Sequence, residues 1–118
     1  MAVNRLSLAA GSTVTPSLSL LASTQLWAGS GISCLMNFSG GGPAVAGVGG
    51  VTLQVSNDPA ANPNNSLAQQ AAARWNNHDI LVGRIADQNS SIVYPCAYVR
   101  LIGAVSSGTV TCAIGNAD

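Results

Sequence analysis

Val51-Thr52-Leu53-Gln54-Val55-Ser56 puts Val51, Leu53 and Val55 at every second position, with Thr52, Gln54 and Ser56 between them. Successive side chains of a strand point to opposite faces, so this period of two predicts a half-buried β-strand, one face on a core and the other turned outward. The alternation returns near the C-terminus, where Val110, Cys112 and Ile114 interleave with Thr109, Thr111 and Ala113. Gly31 to Ser39 sets Ile32, Cys34, Met36 and Phe38 on one face in the same way. Val14 to Leu21 repeats the pattern, with Pro16 pushing its start to an edge or a bulge. Arg5 to Ala9, Ile80 to Ile85, Ile92 to Tyr94 and Ala97 to Ala104 complete the expected strands.

Between these runs stand Ala28-Gly29-Ser30-Gly31, Gly40-Gly41-Gly42-Pro43, Asn57-Asp58-Pro59 and Ser106-Ser107-Gly108. Such residues supply positive φ angles or bond their own backbone, and many short strands separated by them predict a sandwich, jelly roll or barrel. One stretch departs from the rule. Ser66-Leu67-Ala68-Gln69 opens a run of good helix formers through Arg74, and Ser66 with Gln69 has capping-box spacing. Asn57 to Asp79 is thus the longest excursion of the chain, with room for a helical turn or two; excursions of this kind are either binding surfaces or loops laid over a sheet edge.

Charge is the other informative feature. The 118 residues include four arginines and four aspartates but no lysine or glutamate, for a formal net charge of +0; 47% of residues are hydrophobic and 7% charged. Free monomers normally stay dispersed by an interspersed charged surface, so this composition points to a subunit whose surface is covered in an assembly. Four scattered arginines make no basic field, which argues against nucleic acid as a partner. No apolar run approaches a bilayer span, and Ser and Thr interrupt the N-terminal segment too often for a signal peptide, so no membrane partner is expected. Cys34, Cys96 and Cys112 fit neither a paired framework nor close zinc-ligand spacing and are expected to be buried small apolar residues, a Cys96 to Cys112 bridge being the alternative.

Catalytic signals are sparse. His78 beside Asp79 is the start of a nucleophilic triad, but neighbours on a strand point apart, and a loop histidine at a turn is the better account. Asp58, Asp79 and Asp87 could supply the two facing carboxyls of a glycosidase, with no motif to support it. Gly40 to Gly50 lacks the lysine of a phosphate loop, and Thr52 stands where the dinucleotide pattern needs glycine. Asn37-Phe38-Ser39, Asn64-Asn65-Ser66 and Asn89-Ser90-Ser91 are the chance glycosylation triplets of an Asn- and Ser-rich chain. The expectation is a protein without catalytic residues, metal or cofactor. Trp75 and Tyr98 are expected in the core and Trp27 at an interface.

From Val51 onward the order of pieces is distinctive. Val51 to Pro59 ends in a Ser-Asn-Asp turn, a loop leads to Ala73-Arg74-Trp75-Asn76, and Pro95-Cys96-Ala97-Tyr98-Val99-Arg100-Leu101 precedes the hairpin Ser107 to Ile114. This resembles the small β-sandwich virion proteins of tailed bacteriophages, capsid decoration or cement proteins among them. The resemblance implies an all-β, jelly-roll-like antiparallel sandwich. The chain as a whole is expected to divide into an N-terminal strand or arm (1–12) and a single sandwich domain (13–118). The implied partners are the major capsid protein and the chain itself, a homo-oligomer with a dimer favoured over a trimer. The implied location is the capsid surface of a virion assembled in the bacterial cytoplasm. Arg5, Trp27, Asn57, Asp58, Arg74, Trp75 and Asp79 are the expected contacts, and removal of residues 1–12 is expected to weaken attachment while the fold survives. The alternative is a tail or head-fibre module that binds carbohydrate by stacking it on Trp27 or Trp75.

Overall fold

β9 (Val105–Asn116), twelve residues long, is the spine of the molecule. In this computed structural model, which describes residues 3–20, 32–38, 41–43, 50–92 and 96–116, β1 (Val3–Ala9) runs antiparallel along one part of β9, Leu6 opposite Cys112 and Leu8 opposite Val110. β3 (Ile32–Asn37) also pairs with β9, Cys34 opposite Ile114 and Met36 opposite Cys112, and carries β7 (Gln88–Ile92) on its far side. β4 (Gly41–Pro43) pairs with the beginning of β9 and completes the first sheet. The second sheet has the order β2-β8-β5-β6, from β2 (Leu18–Ser19), β8 (Tyr98–Gly103), β5 (Val51–Ser56) and β6 (Asn76–Asn77).

The two sheets face each other across one core. Leu6, Leu8, Ile32, Cys34, Met36, Ile92, Val110, Cys112 and Ile114 come from the first sheet; Val51, Leu53, Val55, Val99 and Leu101 come from the second. These are the alternate positions of their strands, so the period of two has become a layer of buried side chains. Each fully buried leucine or isoleucine contributes about 1.5–3 kcal/mol relative to exposure. The architecture is an all-β antiparallel sandwich. The pairs β1·β9, β2·β8, β3·β7 and β5·β6 nest one inside the next along the chain, and β3·β9 and β5·β8 close them into two sheets.

Several expectations change. Ile80 to Ile85 is not a strand: it is a bent segment held to β5 by Leu81 O, which accepts from Leu53 N at 2.8 Å, and by a two-way bond between Arg84 and Val51. Gly83, at φ 59°, turns its backbone, so only Leu81 reaches the core while Ile80, Val82 and Ile85 stay exposed. The strand expected from Ile92 lies earlier, because the polar Gln88 to Ser91, which show no apolar alternation, are strand residues of β7; Tyr94 lies outside the described residues. The described part of Val14 to Leu21, which ends at Leu20, holds a bridge at Val14 and the short β2, with Pro16 in the gap as expected. Gly50 and Gly103 meet at the end of β5, where a Cβ on Gly50 would lie 2.5 Å from Arg84 O and one on Gly103 2.4 Å from Gly50 O, so only glycine allows the strands to close there.

β1 is an integral edge strand rather than an arm. Its seven residues pair along β9, and it supplies Leu6 and Leu8 to the core. The cysteines are buried and free, without the alternative bridge.

Candidate functional site

β5 is buried on both sides, because the excursion that follows it folds back over its outer face. Ser56 Oγ donates to Arg74 O at 2.7 Å, and Thr52 Oγ1 accepts from Gly83 N at 2.9 Å. Asp58 closes the base of the excursion: one carboxylate oxygen accepts from Ala60 N and the other from Arg74 N, each at 3.0 Å. The first bond caps the short 3₁₀ turn Pro59–Ala61. These bonds and the nearby Arg74 hold the Asp58 carboxyl below its ordinary value, the Ala60 bond contributing most.

Helix α1 (Leu67–Ala72) starts at the predicted capping box, with Ser66 Oγ accepting from Gln69 N and Gln69 Oε1 accepting from Ser66 N. Its buried residue is Gln70. Gln70 Oε1 accepts from Ser17 N at 2.9 Å, and its Nε2 donates to Asn65 O at 2.9 Å; its backbone carbonyl accepts the Trp75 indole N–H at 2.7 Å. Ser17 Oγ also donates to Ala61 O. The excursion is therefore bolted to the segment before β2 rather than left as a free loop.

Trp75 and Tyr98 are not core residues. Both are half-buried on the outer face of the second sheet, since Tyr98 occupies an outward position of β8 and Trp75 follows the helix over that face. The Arg100 guanidinium lies over the Trp75 ring, 4.3 Å from its centroid. Arg100 Nε donates to Gln54 Oε1 at 2.9 Å, Gln54 Nε2 donates to Asn77 Oδ1 at 3.0 Å, and Asn62 Nδ2 donates to Tyr98 Oη at 3.3 Å. Partial burial pushes the Arg100 guanidinium below its ordinary value. Gln54 and Arg100 face each other because β5 and β8 pair them directly.

His78 does not form a triad. Its ring is buried; Nδ1 accepts from Ile80 N and Leu81 N, both at 3.1 Å, and Nε2 lies 2.9 Å from Ser91 O. Nδ1 therefore carries no proton and Nε2–H is the donor. Asp79 Oδ1 stands 3.3 Å from Nδ1, but there two acceptors meet, and the carboxylate is 82% exposed. Asp87 Oδ1 accepts from Phe38 N at 2.6 Å, and the three aspartates form no shared acidic site.

Of the other expected contacts, Arg5 points outward from β1, and Asn57 and Arg74 are exposed at the two ends of the excursion. Trp27 lies outside the described residues. Around Arg5 the outward positions of the first sheet hold Ser7 and Ala9 on β1, Thr109, Thr111 and Ala113 on β9, Ser33 and Leu35 on β3, and Asn89 and Ser91 on β7. Arg5 is the only charge among them. Sequence reading missed Gln70, Gln54 and Arg100; the signal for the last two was their shared outward parity on neighbouring strands. Among the described residues no His, Cys, Asp and Glu side chains gather into a metal-binding group, and no helix is long and apolar enough to cross a membrane.

No family model, curated protein or solved structure matches the chain.

Proposed function

We propose that this protein is a structural docking subunit of a virus particle, a bacteriophage capsid decoration or cement protein that binds the outside of the major capsid protein lattice and stabilises the head. The observation that carries the reading is the outer face of the first sheet. Across β1, β9, β3 and β7 it offers Ser, Thr, Ala, Asn and Leu with Arg5 as its single charge, a surface that can be covered without stranding unpaired charges. A clamp of this kind needs no nucleophile; it needs area, of about 1,000 Å² or more per interface, or many weaker contacts repeated on a lattice.

The nested strand pairing adds support at the level of fold. Nested antiparallel pairs of this kind are compatible with the jelly-roll arrangement that the proposal implies, an architecture used by viral capsid and lectin domains. Fold alone does not assign function. The carbohydrate alternative draws on Trp75 lying outside the core, but Arg100 already covers one face of its ring.

Quantitative mass spectrometry of density-purified particles, before and after mild chaotrope stripping, tests the proposal. Hundreds of copies per particle, with shells that leak DNA once stripped, are expected. A few copies per particle would place the protein in tail or fibres, and its absence would remove the virion reading.

A further inference from the structure

Arg100 stands out among the charged residues of this chain. Its guanidinium is held from two directions, by the Trp75 ring beneath it and by Gln54 at Nε, and Gln54 is itself oriented by Asn77. Among the described residues no carboxylate reaches any arginine within ion-pairing distance, and only Nε of Arg100 has a hydrogen-bond partner. Its Nη groups are thus a fork of donors held in place and left free of protein acceptors among the described residues. Tyr98, two residues back on the same face of β8, takes a bond from Asn62 and keeps its own hydroxyl proton to donate. The groups this patch offers to a partner are donors, which suits a ligand that accepts.

We infer that the outer face of the second sheet is a carboxylate-recognition site, in which the Arg100 fork, stacked on Trp75 and braced by Gln54, receives an acidic side chain of a docked protein. A single guanidinium matches a singly charged planar carboxylate by two parallel bonds; a phosphate dianion would call for more positive charge than this patch holds. The protein source is favoured over an acidic sugar by shape. No pocket forms among the described residues, whereas small ligands are taken into concave sites; a protein partner brings its own rim and excludes water by covering the patch. The inference rests on the docking reading only in making the occupant a protein, and it concerns the face opposite the neutral sheet around Arg5.

The test uses the isolated full chain carrying Trp27→Phe, so that Trp75 alone reports by fluorescence. It is titrated with a short end-capped peptide bearing one glutamate, with the same peptide bearing glutamine, and with a hexuronic acid. The glutamate peptide should give a saturable change that the glutamine peptide does not. Arg100→Lys, which keeps the charge but loses the fork and the stacking, should weaken binding about tenfold or more in a chain that still unfolds cooperatively. Gln54→Leu, which leaves the charge in place and frees Nε, should weaken it as well and serves if the first variant does not fold. Equal responses to the two peptides, or full binding by both variants, would overturn the site; tighter binding of the hexuronic acid would overturn the protein occupant. Because no particle is used, a negative result here leaves the particle measurement standing, and the reverse holds too.

Discussion

His78 Nε2 lies 2.9 Å from the carbonyl oxygen of Ser91, so one imidazole ties the loop beside β5 in the second sheet to β7 in the first. The same ring accepts two backbone N–H groups at its other nitrogen. Replacing it takes the ring from three backbone groups, of which the Leu81 N–H is buried and the Ile80 N–H and Ser91 carbonyl are partly so. His78→Ala is expected to cost about 2–4 kcal/mol, since each buried unsatisfied group costs on the order of 1–3 kcal/mol. Chemical denaturation reads this directly, and a variant as stable as the parent would show that water replaces the ring without loss.

Asp58 makes the excursion sensitive to acid. Its carboxyl is held below its ordinary value, chiefly by the Ala60 N–H and then by the Arg74 N–H. A group with a depressed folded pKa contributes stability that is present above its unfolded value and lost as pH falls through the folded one. Protection of the excursion should therefore persist at neutral pH and fade below about pH 4. Asp58→Ala should reproduce the acid state at pH 7. The chain has no lysine, so trypsin has only four arginines to cut after, and cleavage between Arg74 and Trp75 should accelerate in the variant. Cleavage no faster than in the parent would mean that Gln70 and Ser17 hold the excursion without Asp58.

Deleting residues 1–12 tests the fold rather than attachment. It removes the whole β1 ladder together with buried Leu6 and Leu8. Those two side chains alone represent about 3–6 kcal/mol of burial, a large part of the 5–15 kcal/mol that typically separates folded from unfolded. The truncated chain should lose cooperative unfolding by circular dichroism. Arg5→Ala is the cleaner probe of the neutral face: it should change stability by no more than about 0.5 kcal/mol while reducing particle occupancy. A cooperatively folded truncation product would contradict the integral role of β1.

The thiols should be silent in the native state. Burial pushes Cys112 up to about 12 and Cys96 up to about 11, and Cys34 is raised further by burial and by the two other thiols. A disulfide reagent at pH 8 should label none of them without denaturant and all three in it, because only the thiolate attacks and it must first be exposed. Rapid stoichiometric labelling of the folded protein would mean that the core opens far more readily than its packing implies.

Alternation was legible wherever one face of a strand was apolar, as in Val51 to Val55 and Val110 to Ile114, and so was the capping box at Ser66. It failed where polarity and conformation disagreed. Asn89-Ser90-Ser91 carry no apolar alternation yet form part of β7, because pairing with Ser33, Cys34 and Leu35 satisfies their backbone and asks little of their side chains. Ile80 to Ile85 look like a strand yet bend, because Gly83 and the N–H groups bound to His78 draw the backbone off the ladder. Of the expected contacts, Arg5 and Trp75 reach outward faces, whereas Asp58 is engaged within its own loop.

The sequence by itself determined the all-β class, the two faces of the main strands, the burial of the cysteines and the scarcity of charge, because these follow from residue type and from a period that holds within each strand. Only the tertiary structure decided that Gln54 stands opposite Arg100, that Trp75 lies under its guanidinium, and that β1 closes on β9 more than a hundred residues away. Register between distant strands is a collective outcome of packing two sheets around one core, and no local run of residues encodes it.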